Sequence, residues 1–283
     1  MYKVDNIFNF FVSNLKGIYE KNEAISFAYI SIEKILGYSK SECIINSEKL
    51  LTDVSRSKLT SIVSELKKHK PIQYILQEAY FFNLCYYVNE NVLIPRPETE
   101  ELVEWIIDDY KGMNNLNYLD IGTGSGCIII SLCKYLHGSF FAIDICDRAL
   151  EIARRNNHVN GTDVKFDRLD IINQSLDIKS KYDVIVSNPP YVLESQRAVL
   201  NNNVVNFEPH KALFVKDNDS LIFYKKIICN SKLALNKGGA LYFEINEKLS
   251  SEMSNLLKLE GFVDIELKKD INNRFRMIKA KYK

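Results

Sequence analysis

The sequence predicts an α/β protein built on a mostly parallel sheet, preceded by a small helical bundle and a linking β-hairpin. Apolar residues recur at helical spacing through about residue 70. Aromatic and β-branched residues then dominate residues 80–94, a pattern typical of paired strands. After Gly112, apolar strand patterns alternate with amphipathic helix patterns, and this alternation indicates a parallel sheet with helices on both faces.

The N-terminal helices are predicted from three apolar repeats at three- and four-residue steps. Their members are Ile7, Phe8, Phe11, Leu15 and Ile18, then Ala28, Ile32, Ile35 and Leu36, then Leu59, Ile62, Val63 and Leu66. Gly37 is placed to end the second helix. We therefore expect residues 1–75 to form a helical domain.

A second segment, 76–95, is predicted to be a hairpin linker, with Asn89-Glu90-Asn91 as its turn. The third segment, 96–283, begins with an amphipathic helix. The apolar face of that helix consists of Leu102, Val103, Ile106, Ile107 and Tyr110. We expect this segment to form the α/β domain.

The elements of the α/β domain follow from its apolar runs. The predicted strands are 118–121, 140–145, 164–169, 182–187 and 240–245, and the predicted helices are 127–136, 149–157 and 221–235. Two tail segments, 263–267 and 275–280, have no helix between them. They predict a terminal hairpin that adds an antiparallel strand to the sheet.

The composition excludes several classes of protein. The 283 residues include 37 Lys and Arg against 36 Asp and Glu, so the net charge of +1 weighs against unselective polyanion binding. The six cysteines and four histidines show no zinc spacing, so we expect free thiols and no metal site. The start lacks a signal peptide, and the longest apolar stretch, Cys127 to Cys133, is too short to span a bilayer. We expect a cytoplasmic protein.

A glycine-rich loop follows the first strand of the α/β domain and opens a helix. Glycines permit positive φ and close approach of a ligand to the backbone, and amides at a helix start favour an anionic group. The spacing is G-x-G-x-G, with Cys127 where a dinucleotide fingerprint has its third glycine, which argues against NAD. The candidate ligand-binding residues are Gly122, Thr123, Gly124, Ser125 and Gly126.

Two further strand ends are candidates for the same crevice. Asp144 ends the next strand, 18 residues after Gly126, where an acidic side chain accepts hydrogen bonds from ribose hydroxyls. Asp170 and Ile171 follow the third strand and are placed to meet an adenine by an amino-group hydrogen bond and apolar contact. The alternative is a glycine turn beside two solvated aspartates.

Asn188-Pro189-Pro190-Tyr191 follows the fourth strand. The prolines lack N–H groups and have fixed φ, so this segment is stiff and its carbonyls remain free to accept hydrogen bonds. The Asn188 side-chain oxygen and the Pro189 carbonyl can orient a planar –NH2 group, whose lone pair is otherwise delocalised, while Tyr191 packs against it. The four residues are the candidate catalytic residues, and the alternative is a rigid turn.

These motifs together resemble class I S-adenosylmethionine methyltransferases that modify planar nitrogens. More narrowly, the chain resembles the release-factor glutamine methyltransferases (PrmC, also called HemK). The resemblance rests on Pro71–Ile75, Val92–Glu100, Asp120–Gly126, Ser187–Tyr191, Glu208–Leu213 and Gly238-Gly239. The Ile-Pro-Arg-Pro-Glu-Thr-Glu run is specific to that family, whereas Asn-Pro-Pro-Tyr also occurs in nucleic-acid amino methylases. Gln77, Asn246 and Asn273 depart from the family pattern.

The resemblance implies a Rossmann-like domain with a seven-stranded sheet, and an N-terminal domain that recognises the substrate. It implies methylation of N5 of the glutamine in the Gly-Gly-Gln motif of peptide chain release factors, with S-adenosylhomocysteine as the second product. The residues from Gly122 to Gly126, with Asp144, Asp170, Ile171 and Asn188, would bind the cofactor. Asn188, Pro189, Pro190 and Tyr191, with Arg96 and Glu98, would bind the substrate.

The run around Arg96 has a second explanation, since Pro97 and the acidic residues after it suit a helix N-terminus.

Two other functions compete with the one that the resemblance implies. A DNA or RNA amino-group methyltransferase would share the Asn-Pro-Pro-Tyr pocket but must extrude a base and grip phosphates, for which the near-zero net charge is poorly suited. A non-catalytic cofactor-binding protein is the third possibility. We expect a monomer without stable nucleic-acid binding.

Overall fold

The computed structural model describes residues 2–177, 179 and 181–283. These residues form two units. The first comprises the described residues of Met1–Gln77 together with Asn201–Phe207, and the second comprises Glu78–Leu200 and Glu208–Lys283, with the same exceptions. Within the described residues, no helix combines the length and the apolar character that a membrane span requires.

The first unit is helical, as predicted. Its helices are α1 (Asp5–Leu15), α2 (Lys21–Leu36), α3 (Lys40–Ile45), α4 (Asp53–Leu66) and α5 (Ile72–Leu76), joined by the later helix Asn202–Phe207, which is α9 in chain order. Its core contains the predicted apolar faces, including the fully buried Phe11, Ile32 and Leu59. Gly37 ends α2 with a φ of 72°. The prediction for Ile18 is wrong, because α1 ends at Leu15 and leaves Ile18 36% exposed.

The hairpin exists, but its predicted turn is wrong. Strands β1 (Ala79–Phe81) and β2 (Leu84–Tyr86) pair antiparallel. The connecting residues, Phe82 and Asn83, have φ of 47° and 58°, the left-handed pair that a tight two-residue hairpin turn requires. Asn89–Asn91 instead forms a separate turn, in which Asn89 Oδ1 accepts a hydrogen bond from the Asn91 amide at 3.0 Å. Phenylalanine is an unusual first residue for such a turn, which is why the sequence pattern did not predict it.

The second unit contains the predicted sheet. After the hairpin its strands are β3 (Leu116–Ile121), β4 (Gly138–Asp144), β5 (Val164–Arg168), β6 (Tyr182–Ser187), β7 (Val192–Leu193), β8 (Phe214–Val215), β9 (Leu235–Glu244), β10 (Val263–Lys269) and β11 (Phe275–Lys281). Seven of them form one sheet in the order β10-β11-β9-β6-β3-β4-β5, and β7 and β8 form a separate pair. Strand β11 runs antiparallel to both of its neighbours, which confirms a mostly parallel sheet with an antiparallel strand.

Helices cover this sheet. They are α6 (Pro97–Tyr110), α7 (Cys127–Tyr135), α8 (Asp147–Val159), α10 (His210–Leu213), α11 (Ile222–Ala234) and α12 (Ser250–Leu259), with 3₁₀ helices at Glu194–Val199, Asp217–Asp219 and Glu247–Leu249. The sequence patterns did not predict α12. They also predicted that the strand begins at residue 240, whereas β9 begins at Leu235 and passes through Gly238, whose φ is 81°. The pair Gly238-Gly239 argues against a strand when the sequence is considered alone, yet both glycines lie within β9.

The parallel strands bring their carboxyl ends to one edge of the sheet. Strands β4, β3, β6 and β9 are consecutive neighbours, so the residues that follow them lie side by side. Ser187, at the end of β6, donates a hydrogen bond from Oγ to the carbonyl of Ile121, at the end of β3, over 2.6 Å. This bond places the Asn-Pro-Pro-Tyr segment beside the glycine-rich loop.

Candidate active site

The glycine-rich loop is held by backbone hydrogen bonds. The amides of Gly122 and Thr123 both donate to the carbonyl of Ile143, over 2.9 and 3.1 Å. The φ angles of Gly122, Gly124 and Gly126 are 77°, 55° and 82°, values that residues other than glycine rarely adopt. The loop therefore has a defined shape that depends on its glycines.

Asp144 binds the same loop. Its Oδ2 accepts a hydrogen bond from the Gly124 amide at 2.9 Å, and its Oδ1 accepts one from the Cys146 amide at 2.9 Å. Burial raises the pKa of the carboxyl. The structure thus brings Asp144 to the loop, where each carboxylate oxygen keeps a lone pair for a further donor.

Two buried polar atoms beside the loop have no hydrogen-bond partner among the described residues. They are Oδ1 of Asp120 and Oγ of Ser125. Asp120 Oδ2 accepts a hydrogen bond from Thr123 Oγ at 2.7 Å, and burial raises the pKa of Asp120 to about 7. Because buried polar atoms are normally paired, these atoms indicate a site for a polar ligand. Asp120 was not a predicted site residue.

Asn156 is a second residue that the sequence analysis missed. Its amide nitrogen donates to the carbonyls of Ser125 and Tyr87, over 2.9 and 3.0 Å, and its Oδ1 accepts from the Tyr87 amide at 2.7 Å. One buried side chain thus ties the glycine-rich loop to the chain that follows the hairpin. A lone Asn within a predicted helix gives no sequence signal for this role.

Asp170 and Ile171 lie close to Asp144 through the backbone, since the Leu169 amide donates to the Asp144 carbonyl over 3.0 Å. The Asp170 carboxylate closes its own turn: it accepts hydrogen bonds from the Ile172 amide at 3.0 Å and the Asn173 side chain at 2.7 Å. The Asn173 bond is the main reason why the pKa of Asp170 is lowered. Ile171 is 8% exposed and packs in the hydrophobic core.

The Asn188 amide is held by two acceptors. Its Nδ2 donates to Glu244 Oε2 at 2.9 Å and to Thr99 Oγ at 3.3 Å. Tyr191 OH donates to the other Glu244 oxygen at 2.9 Å. Within the described part of the chain, no group donates to Asn188 Oδ1 or to the Pro189 carbonyl. Both acceptors that the sequence analysis singled out therefore remain available.

Glu244 is the buried centre of this arrangement. It ends β9, is 1% exposed, and accepts a third hydrogen bond from Thr99 Oγ at 2.6 Å. Burial raises its pKa, while its hydrogen bonds and the nearby positive charge of Arg276 act in the opposite direction. Glu244 was not a predicted site residue. The sequence signal that could have indicated it is an acidic residue at the carboxyl end of a central strand.

A cavity of about 50 Å³ opens beside Asn188. Its lining consists of Leu93, Arg96, Asn188, Pro189, Tyr191, Val192, Ala212, Leu213 and Glu244. Pro190 and Glu98, both half-buried, are absent from this lining. Glu98 lies in the first turn of α6 and contributes a negative charge that raises the pKa of Glu244.

Comparisons with known proteins identify both parts of the chain. The family described as "Methyltransferase domain" matches residues 113–266, and the family described as "PrmC N-terminal domain" matches residues 7–76. The release factor glutamine methyltransferase of Flavobacterium psychrophilum is 46% identical over 277 residues, covering 96% of this chain and 97% of that protein. The one of Bacteroides thetaiotaomicron is 38% identical over 268 residues, covering 94% and 96%.

Solved structures show the same fold at low sequence identity. The hMettl16 catalytic domain, in complex with MAT2A 3'UTR hairpin 6, aligns with a TM-score of 0.56 and 18% identity, covering 83% of this chain and 84% of that one. A methyltransferase from Pyrococcus furiosus aligns with a TM-score of 0.51 and 16% identity, covering 81% and 98%. Because a shared fold does not fix a substrate, these two likenesses establish the fold alone.

The sheet, the glycine-rich loop and the matched domain together define an S-adenosylmethionine-dependent methyltransferase. Within that class, the full-length similarity to curated relatives is decisive. The chain belongs to the release factor glutamine methyltransferase family. Gln77, one of the residues that depart from the family pattern, adopts a φ of 55°, the left-handed conformation that glycine accommodates most easily.

Proposed function

We propose that this protein methylates N5 of the glutamine in the Gly-Gly-Gln motif of peptide chain release factors. The observation that carries the proposal is the state of Asn188. Its nitrogen is engaged by Glu244 and Thr99, while its oxygen has no donor among the described residues and the residue itself lines a small cavity. A free oxygen in that position accepts an N–H of a substrate amide.

The residues around the cavity orient the amide rather than deprotonate it. Asn188 Oδ1 and the Pro189 carbonyl each accept one N–H of the glutamine carboxamide, and the Tyr191 ring packs against its plane. Holding both N–H bonds aims the nitrogen lone pair, which gains nucleophilicity by orientation. No strong base is required beforehand, because the N–H proton becomes acidic only as the new bond forms, and it then leaves to water.

The glycine-rich loop and its neighbours fit S-adenosylmethionine. When bound, this cofactor supplies an electrophilic methyl group and leaves as S-adenosylhomocysteine. The unpaired Asp120 Oδ1 and Ser125 Oγ indicate a polar ligand at the loop. We assign cofactor binding to the loop residues Gly122, Thr123, Gly124, Ser125 and Gly126, and to Asp144, Asp170, Ile171 and Asn188.

The relatives support an amide substrate over a nucleobase, because both are named release factor glutamine methyltransferases. We assign substrate binding to Asn188, Pro189, Pro190, Tyr191, Arg96 and Glu98. We further propose that residues 1–75 recognise the release factor, that residues 76–95 link the domains, and that residues 96–283 carry out the transfer. The protein is proposed to act as a monomer in the cytoplasm.

The test is methyl transfer from labelled S-adenosylmethionine to a purified release factor. A copy with its Gly-Gly-Gln glutamine replaced serves as control. We expect label on the first protein and none on the second, and Asn188→Ala should reduce the transfer by at least about 100-fold. Label on both proteins would place the modification elsewhere, and label on neither, but on DNA or RNA, would favour the nucleic-acid alternative.

A further inference from the structure

We propose that Glu244 is a positioning residue that fixes the orientation of the Asn188 amide, so that its oxygen faces the substrate. This inference rests on the proposed function and names a residue that acts through Asn188. The side chain of Asn188 ends in a carbonyl oxygen, which accepts hydrogen bonds, and an –NH2 group, which donates them. Transfer requires the oxygen to point to the glutamine N–H, so some group must select that orientation of the amide.

Glu244 is chemically suited to this selection. Ionised carboxylate oxygens accept hydrogen bonds and donate none. The side of Asn188 that faces Glu244 Oε2, 2.9 Å away, must therefore be the –NH2 group. The 180° rotated amide would place two acceptors against each other in a buried position, an arrangement that costs the desolvation of both. The carboxylate therefore selects one of the two amide orientations.

The carboxylate is itself immobilised. Its two oxygens accept from Thr99 Oγ at 2.6 Å and from Tyr191 OH at 2.9 Å, in addition to Asn188. The backbone carbonyl of Glu244 accepts from Tyr224 OH at 3.0 Å. Because Glu244 is 1% exposed, bulk water has little access to these oxygens. Through its hydrogen bonds, Glu244 holds both Asn188 and Tyr191, two of the candidate catalytic residues.

Arg276 supports the ionised form of Glu244. Its guanidinium donates to Asp270 at 3.3 Å and to the carbonyl of Ile245, the residue after Glu244, at 3.4 Å. Its charge favours ionisation of Glu244 against the effect of burial. A protonated Glu244 could donate a hydrogen bond to Asn188, and it would then no longer distinguish the oxygen of the amide from its –NH2 group. The positive charge thus opposes the protonation of Glu244 that burial favours.

The first test is a double-mutant cycle on kcat with Glu244→Leu, which removes both acceptors, and Asn188→Ala. We expect Glu244→Leu to lower kcat about 100-fold, as one lost preorganised hydrogen-bonding group does. The double variant should lie within about threefold of Asn188→Ala, because the role proposed for Glu244 in transfer is to orient the Asn188 amide. The affinity for S-adenosylhomocysteine should change less than about threefold. Glu252→Leu, the same substitution at an exposed position of α12, should behave like the wild type.

Two kinetic outcomes would overturn the inference. One is a Glu244→Leu variant with kcat within about twofold of the wild type. The other is a double variant whose kcat falls by the product of the two single effects, which is the behaviour of a merely structural residue.

The second test needs no substrate and no folded variant of Glu244. In the wild type, NMR should show the Asn188 side-chain –NH2 protons protected from solvent exchange, relative to those of the exposed Asn202. Replacing each residue by Asp assigns the two resonances. Equal exchange at both positions would overturn the inference. If the wild type methylates no release factor, the proposed function fails, whereas the exchange measurement still decides whether the Asn188 –NH2 group is held by buried acceptors.

Discussion

Arg96 and Glu208 form an ion pair of 2.6 Å across 112 residues of sequence. The Glu208 side chain is only 1% exposed, whereas that of Arg96 is 33% exposed. The pair joins two family runs, Val92–Glu100 and Glu208–Leu213, each of which contributes residues to the lining of the candidate substrate cavity. The sequence shows no evident reason for these runs to meet, and the buried carboxylate supplies one contact between them.

Arg96→Ala should lower the free energy of unfolding by about 2–3 kcal/mol, because it leaves a buried carboxylate without its partner. The value lies at the low end because Arg96 remains partly hydrated. Urea unfolding measures it. Adding Glu208→Gln should recover part of the loss by removing the unpaired charge. Equal stability of the single and double variants would contradict this account.

Asp144→Ala should weaken S-adenosylmethionine binding by about 10- to 100-fold, the loss of one or two hydrogen bonds to a charged acceptor. The substitution also removes the bond from Asp144 to the Gly124 amide, so the loop loses a constraint. Isothermal titration calorimetry measures the dissociation constant. Asp147→Ala, on a side chain 65% exposed in the next helix, is the control and should bind normally. Unchanged affinity in Asp144→Ala would remove this residue from the site.

Asp120→Asn should remove part of the pH dependence of stability. Burial raises the pKa of Asp120 to about 7, from an ordinary value of 3.8. The folded protein therefore retains a proton that the unfolded chain loses, so the free energy of unfolding falls as pH rises from about 4 to about 7. The variant lacks this fall. Denaturant unfolding without cofactor at several pH values measures it, and parallel curves for both proteins would contradict the prediction.

Gly126→Ala should destabilise the protein more than Gly124→Ala, by about 1 kcal/mol or more. Both positions have positive φ, so both variants incur the same kind of backbone strain. They differ in space: a Cβ at Gly126 would lie 2.7 Å from Ile130 Cδ1 and 3.3 Å from Ala153 Cβ, whereas one at Gly124 meets nothing within 4 Å. Thermal unfolding of the two variants compares them, and equal midpoints would show that Ile130 moves aside freely.

The sequence predicted what depends on local pattern. The alternation of strands and helices placed the glycine-rich loop, Asp144 and Asn188 at strand ends, and parallel pairing then brought those ends together. It missed what depends on long-range contacts. Glu244 meets Asn188 only because β9 and β6 are neighbours, and Asn156 meets Ser125 only because α8 lies against the loop. The turn at Phe82-Asn83 was missed because its first residue, Phe82, is not typical of turns.

Strand β11 lies between β9 and β10, so a late segment of the chain completes the interior of the sheet. Because synthesis runs from the N-terminus, Glu244 is added to the chain before Phe275–Lys281 exists. Until that strand inserts, β9 has an open edge and Glu244 lacks Arg276. A nascent chain can thus hold its glycine-rich loop and Asn-Pro-Pro-Tyr segment well before its buried carboxylate gains this support. A truncation just before Phe275 would mimic that stage, with an unprotected strand edge prone to aggregation.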